Sequence, residues 1–460
     1  MKMRKEIIVI GGGLAGCEAA YQIAKRGIKV KLYEMKPIKY SPAHSNKDLE
    51  EIVCSNSLKS NLLTNACGLL KEELRRLDSL LIKIADGTKV PAGQALAVDR
   101  TEFSKKVTKE IKQNELIEII NKEVVDIKDM IKDGIVIIAT GPLTSDDLSI
   151  QIQELTGQDK LYFYDAAAPI VTKESINFNV AFWGNRYEQE KQKEETIEQW
   201  QNRIKNQEAS YINLPMNQEE YEKFCSELIK ADVVLLHDFE KREIFEGCMP
   251  VEVMANRGMD TLRFGPLKPV GFDDPRTGKR PYAVVQLRQD DTNGMIFNIV
   301  GFQTNLKFGE QKRVFSMIPG LENAEFVKYG VMHRNTYINS TKLLDNTYNL
   351  KSNNNIFFAG QITGVEGYVE SISSGLLAAL NACKKYKNED KIVFPETTMI
   401  GALAKYVSTE NDKFQPMNAN FGIVPPLEEK IKDKKIKYGK LADRGLADLK
   451  EQDFTKNEKK

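Results

Sequence analysis

The chain has 460 residues, 41% apolar and 28% charged, with a formal net charge of +1 at pH 7. That is enough apolar sequence for two or three buried cores; it excludes global disorder and leaves any nucleic-acid affinity to a local basic surface. No run reaches the roughly 18–20 apolar residues of a membrane span, and the short apolar stretch after Met1-Lys-Met-Arg-Lys5 lacks a signal-peptide cleavage pattern, so a cytoplasmic protein is expected.

Glu6-Ile-Ile-Val-Ile10 reads as a buried strand entering the turn Gly11-Gly-Gly-Leu-Ala-Gly16, after which Ala19, Ala20, Ile23 and Ala24 recur at helical spacing. Gly11 permits the tight turn, Gly13 lets a pyrophosphate approach the backbone, and Gly16 lets helix and strand pack closely. Gly12, Leu14 and Ala15 complete the turn, whose free N–H groups and helix dipole favour that pyrophosphate. A second apolar run, Ile28 to Tyr33, ends in Glu34, where an acid suits an adenosine ribose hydroxyl. Strand, turn, helix, strand and acid in this order predict an FAD or NAD site.

Lys36 to Ser60 is polar and reads as a loop over a site. Residues 69–84 form one amphipathic helical pattern, a further helix starts near 100 with Thr101 as candidate cap, and Gly134-Ile-Val-Ile-Ile138 is a third buried strand running into Ala-Thr-Gly141. From about 165 to 330 the pattern changes to short strands and charged helices, expected to be an inserted domain. Within it, residues 186–209 are almost all polar around Trp200 and read as a solvated face. Asn354 to Gly367 returns to strand, Gly-rich turn and helix start, with Gly360, Gln361 and Gly364 as candidate cofactor contacts. Lys430 to Lys440 holds six lysines against one aspartate, a basic tail that suits phosphate contact or, more simply, a solvated terminus. The expected architecture is an α/β protein with a split Rossmann-like FAD-binding domain (1–164 and 331–428), an inserted α+β domain (165–330) and a basic C-terminal tail (429–460).

The cysteines at 17, 54, 67, 225, 248 and 383 are scattered without metal-like pairing and only three histidines are present, so neither a disulfide framework nor a metal site is expected. Cys54, in Glu51-Ile-Val-Cys-Ser-Asn-Ser57, is rich in hydrogen-bonding neighbours and near a predicted helix start, which would favour its thiolate. Cys248, in Phe245-Glu-Gly-Cys-Met-Pro250, sits in a Gly-Cys turn open to a substrate. Each is weighed against the ordinary role of a cysteine as small apolar filler, the role assigned to the other four. Arg263, Lys268, Arg276, Lys279, Arg280, Arg288, Lys307 and Arg334 fall among Phe264, Tyr282 and Phe302, a pattern that suits phosphates with a stacked base, a pterin with a glutamate tail, or a plain charged surface. His333 suits a proton relay or a structural role.

These segments, together with Val53-Cys-Ser-Asn-Ser-Leu58, Phe163-Tyr-Asp-Ala-Ala-Ala-Pro169, Gly278 to Asp291, Met332-His-Arg-Asn-Thr336 and Gly360 to Ser371, resemble the folate- and FAD-dependent tRNA (uracil-5-)-methyltransferase family over about residues 6–425. The resemblance implies a cytoplasmic enzyme that makes 5-methyluridine in RNA, most simply in the T-loop of tRNA. It also implies 5,10-methylenetetrahydrofolate as carbon donor and bound FAD, reduced by NAD(P)H, as carrier of the methylene group and the hydride. By position in the family motifs Cys248 would be the thiolate that adds to uracil carbon 6, and Cys54 the second thiol, helping to remove the carbon 5 proton. Arg276, Lys279, Arg280, Arg288 and His333 would then face the substrates. The stretch around 178–209 is longer than the family pattern, which leaves the same chemistry on rRNA as an alternative. Two further alternatives are the related FAD protein of wobble-uridine modification, which lacks the Phe-Glu-Gly-Cys context, and a non-catalytic flavin-bearing RNA-binding paralogue.

Overall fold

The computed structural model describes residues 6–157, 161–188, 190–234, 249–412 and 414–451. A five-stranded sheet runs in the order Ile356–Phe358, Gly134–Ile138, Glu6–Ile10, Val30–Glu34 and Ile117–Asn121, and every pairing in it is parallel. Ile7 to Ile10 and Ile135 to Ile138 are all buried, as strands covered by helices on both faces require. Counted along the chain this order is 3-2-1-4-5, so the sheet reverses direction of winding between Glu6–Ile10 and Gly134–Ile138, where ligand crevices form in open α/β sheets. The helix Leu14–Lys25 crosses Tyr368–Lys387 so closely that a Cβ at Gly375 would lie 2.2 Å from the Ala15 carbonyl oxygen.

The second sheet is antiparallel throughout, in the order Phe182–Trp183, Tyr211–Met216, Ala283–Gln289, Ile296–Ile299, Ile170–Thr172 and Phe326–Lys328. Its core, which includes Tyr221, Phe297, Phe302 and Phe315, draws on residues 168–324, whereas the first core draws on residues 7–152 and 338–449. The antiparallel pair Leu161–Ala166 and Met332–Tyr337 carries the chain out and back.

Several local expectations are corrected. The pattern over 69–84 is two helices, Ala66–Arg76 and Leu80–Asp86, because Asp78 adopts φ 56° and the Ser79 side chain caps the second. The helix Arg100–Gln113 is capped by Asp99, whose carboxylate accepts the Glu102 N–H at 3.0 Å, and not by Thr101. In the 186–209 stretch Trp200 is fully buried on the helix Ile197–Lys205, and Arg203 bonds the Glu195 carboxylate at 2.7 and 2.9 Å. An apolar residue at helical spacing thus anchors a segment whose composition reads as solvated. The basic tail continues into the helix Lys434–Glu451, which buries Leu441, Ala442, Leu446 and Leu449 against the first core while Lys430, Lys434 and Lys440 stay exposed.

Candidate functional site

A cleft opens at the carboxyl ends of Glu6–Ile10 and Gly134–Ile138, lined by Gly11, Gly12, Gly13, Leu14 and Ala15 on one side and by Gly360 and Gln361 on another. Gly11 has φ 103°, and a Cβ there would lie 2.5 Å from the Ala139 carbonyl oxygen. Gly16 does not line the cleft: its Cα packs on the turn, and a Cβ would lie 1.8 Å from the Gly11 carbonyl oxygen. Gly13 meets no atom within 4 Å of an added Cβ and caps Leu14–Lys25 without a side chain, leaving the turn open to a ligand. Such a cradle fits the pyrophosphate of a dinucleotide. Gly364 is not in this lining; it takes φ 82° and packs under the Phe414 ring.

Glu34 is buried at the end of its strand, with one carboxylate oxygen accepting the Gly12 N–H at 2.7 Å and the other the Lys36 N–H at 2.9 Å. It shapes the turn, and its remaining lone pairs can accept a ribose hydroxyl. Glu50, also in the lining, has φ 51°, a buried carboxyl oxygen with no partner, and a pKa that burial pushes well above the ordinary carboxylate range.

The cleft continues into a second cavity through Val53, Pro142, Leu143, Gln361 and Tyr368, which line both. Cys54 lines this second cavity and also a third one, together with Arg288, Met249 and Met254. It lies in a loop before the short strand Ser57–Ser60, so the expected helix N-terminus is not what surrounds its thiol. Side chains clamp this loop instead. Arg100 donates to the carbonyls of Ile52 and Cys54 at 3.1 and 2.8 Å, Lys328 to that of Val53 at 3.3 Å, and the Cys54 N–H donates to the Tyr368 hydroxyl at 3.0 Å. Arg288 is buried and reaches Asn56 Oδ1 at 3.0 Å and Ser55 Oγ at 2.6 Å. Burial pulls Arg288 and Lys328 below their usual basicity, with Arg100 adding to the effect on both.

The wall of the second cavity also holds a carboxylate that sequence reasoning missed. Glu370 is fully buried, bonded to Lys59 at 3.2 Å and to the Ala419 N–H at 2.9 Å, and its other oxygen has no partner. A Cβ at Gly367 would lie 2.2 Å from that oxygen, so only glycine fits beside it. An acceptor left unpaired in a cavity fits a ligand rich in N–H groups. The signal was the glutamate beside glycine in Gly367-Tyr-Val-Glu370, read as an ordinary helix start.

The remaining expected residues are dispersed. Arg276 pairs with Asp274 at 2.7 Å and Arg280 with Glu190 at 2.7 Å, and Lys279 is exposed; none of the three lines these cavities. His333 lies on the strand Met332–Tyr337, and its side chain is outside the described residues. Cys248 is also outside them, but Met249, which follows it in sequence, lines the third cavity with Cys54.

The sheet order, glycine turn and switch-point cleft define a protein of the Rossmann-type dinucleotide-binding fold. Its fold is similar to that of Aquifex aeolicus GidA in the form II crystal, with a TM-score of 0.68 over 100% of this chain and 75% of that one at 16% identity. The model of the glucose inhibited division protein A family matches residues 6–390. The chain is 60% identical over 446 residues to methylenetetrahydrofolate--tRNA-(uracil-5-)-methyltransferase TrmFO of Acetivibrio thermocellus, covering 97% of this chain and 98% of that protein. It is 58% identical over 448 residues to the TrmFO of Fusobacterium nucleatum, covering 97% and 99%. The chain belongs to the TrmFO family.

Proposed function

We propose that this chain is an FAD- and methylenetetrahydrofolate-dependent tRNA (uracil-5-)-methyltransferase that makes 5-methyluridine in the T-loop, working in the cytoplasm with NAD(P)H as reductant. The relatives carry the folate donor, tRNA and uracil carbon 5 in their names. The observation that carries the reading is the position of Cys54, which lines two cavities at once, one continuous with the dinucleotide cleft and the other walled by Met249, the neighbour of Cys248.

The turn residues Gly11 to Ala15, with Glu34, Gly360 and Gln361, would hold FAD. When bound and reduced, that group supplies the methylene carrier and the hydride. Uracil carbon 5 is a poor nucleophile until carbon 6 gains an electron pair. In this reading the Cys248 thiolate adds to carbon 6, and the resulting enolate attacks the incoming one-carbon unit through carbon 5. Cys54 takes part in removal of the carbon 5 proton, which allows the ring to expel the Cys248 thiolate after reduction. Arg100, Lys328 and Tyr368 position Cys54 by holding the backbone on both sides of it, and Arg288 places a cation in the same cavity. Glu370 would orient a substrate ring through its N–H groups.

The test is methylation of deproteinised total RNA lacking 5-methyluridine by the FAD-loaded protein with NADPH and methylenetetrahydrofolate, separating tRNA from rRNA before nucleoside mass spectrometry. Product in the tRNA fraction is expected. Product in rRNA alone, or none despite bound FAD, would overturn the assignment.

A further inference from the structure

Phe308 opens the helix Phe308–Phe315 in the second body and does not pack into its core. Its ring lies 4.9 Å from that of Tyr329 with planes 18° apart, and Tyr329 lies 5.2 Å from Phe326 with planes 12° apart. The three rings form a near-parallel ladder. Phe326 packs against the second core at the inner end, whereas Phe308, at the outer end, is 53% exposed. A lone exposed phenylalanine is ordinary; one whose orientation is fixed by two stacked rings is a prepared surface.

The ladder is tied by hydrogen bonds to chain that reaches the cleft. Gln311, fully buried one turn after Phe308, donates to the Gly330 carbonyl at 2.8 Å and accepts the Gly330 N–H at 2.8 Å, locking the helix to the chain that carries Tyr329. Lys328, adjacent to Tyr329, holds the Val53 carbonyl beside Cys54, and the Val331 carbonyl accepts the N–H of Ala167, which lines the second cavity. Next to Phe308, Lys307 is held by Asp232 at 3.0 Å in an exposed ion pair. Such a pair is weak enough to be exchanged for a phosphate.

We propose that the outer face of Phe308 is a stacking platform for an unpaired nucleobase of the RNA whose uridine enters the Cys54 cleft. This rests on the RNA reading above. A uridine that reacts at carbons 5 and 6 must leave its stack, and the base beside it then loses a neighbour. An exposed aromatic ring on the body that shares the Cys54 cavities replaces that neighbour without reading sequence, because every base has a π-face.

The experiment compares wild-type, Phe308→Leu and Phe308→Trp proteins, full length and FAD-loaded, for binding of an unmodified tRNA transcript across a salt series. Phe308→Leu is expected to weaken binding about 10- to 100-fold. Its salt slope, flavin absorbance and melting temperature should stay unchanged, since phosphate contacts set the slope, and Phe308→Trp should restore affinity. Undiminished binding by Phe308→Leu, or a loss tracked by a changed salt slope, would overturn the platform alone. A wild-type protein that binds no tRNA would overturn the platform together with the RNA reading.

Discussion

Arg100 and Asp290, 190 residues apart, meet at 2.9 Å, and the same guanidinium holds the Cys54 carbonyl at 2.8 Å. Asp290 comes from the second body and Arg100 from the first, so this pair joins the two and fixes the thiol loop between them. Losing one member leaves a buried charge without its counter-ion. Asp290→Asn should lower stability by roughly 3–5 kcal/mol, read from urea denaturation. The double change Arg100→Met with Asp290→Leu should recover much of that stability yet stay poorly active, because the carbonyls of Ile52 and Cys54 lose their donor. Full activity in the double variant would show that the clamp does not position Cys54.

The two ends of the glycine turn should respond differently to one methyl group. Gly13→Ala adds a Cβ that meets no protein atom, so the protein should fold normally and bind FAD more weakly. Gly11→Ala forces a Cβ to 2.5 Å from a backbone oxygen at φ 103°, and should lose thermal stability as well as flavin. Melting curves of both variants, with flavin fluorescence on dilution, separate the outcomes; equal melting losses would contradict the reading of Gly13.

Glu73 accepts the N–H groups of Met399 and Ile400 at 2.7 and 2.9 Å, and burial raises its pKa to about 7. The folded value lies above the unfolded one near 4.5, so the stabilisation from the protonated form is fully present below that pH. It is lost as pH rises towards about 7. Over that window wild type should lose about 3 kcal/mol more than Glu73→Gln, which keeps an acceptor oxygen without a titrating charge. Urea midpoints at pH 5, 6, 7 and 8 measure the difference, and parallel curves would place the proton elsewhere.

A thiolate that adds to uracil carbon 6 should be trapped when the carbon 5 proton is replaced by fluorine, which cannot leave as a cation. Wild type and Cys54→Ala should form a covalent complex with 5-fluorouridine-containing tRNA on a denaturing gel, and Cys248→Ala should form none. A complex that persists in Cys248→Ala and vanishes in Cys54→Ala would exchange the two roles.

What the sequence made readable was local. The strand, turn and helix over residues 6–25, the strand Val30–Glu34 with its terminal acid, and the strand Gly134–Ile138 each carry their signal within a few consecutive residues. The clamp around Cys54 does not, because Arg100, Arg288, Lys328 and Tyr368 reach it from distant parts of the chain, and pairing across folds leaves no periodicity. The basic residues show both cases: Arg280 meets Glu190 from 90 residues away, which only the fold reveals, whereas Arg276 pairs with Asp274 two residues before it, a local match that composition alone does not announce. Trp200 carried a local signal that composition masked: the polar run around it reads as solvated, yet a large apolar ring more often marks burial than solvent.

The parallel sheet takes its outermost strand from Ile356–Phe358, and the helix behind the glycine turn is backed by Tyr368–Lys387. During synthesis the glycine turn therefore precedes the wall that completes its cradle by more than three hundred residues. The nascent chain carries an exposed, unfinished edge strand at Gly134–Ile138 while more than two hundred further residues are made. A chain that ends between Ile138 and Ile356 leaves that edge unpaired and the cradle without Gly360 and Gln361, so it carries the glycine turn but not a complete site.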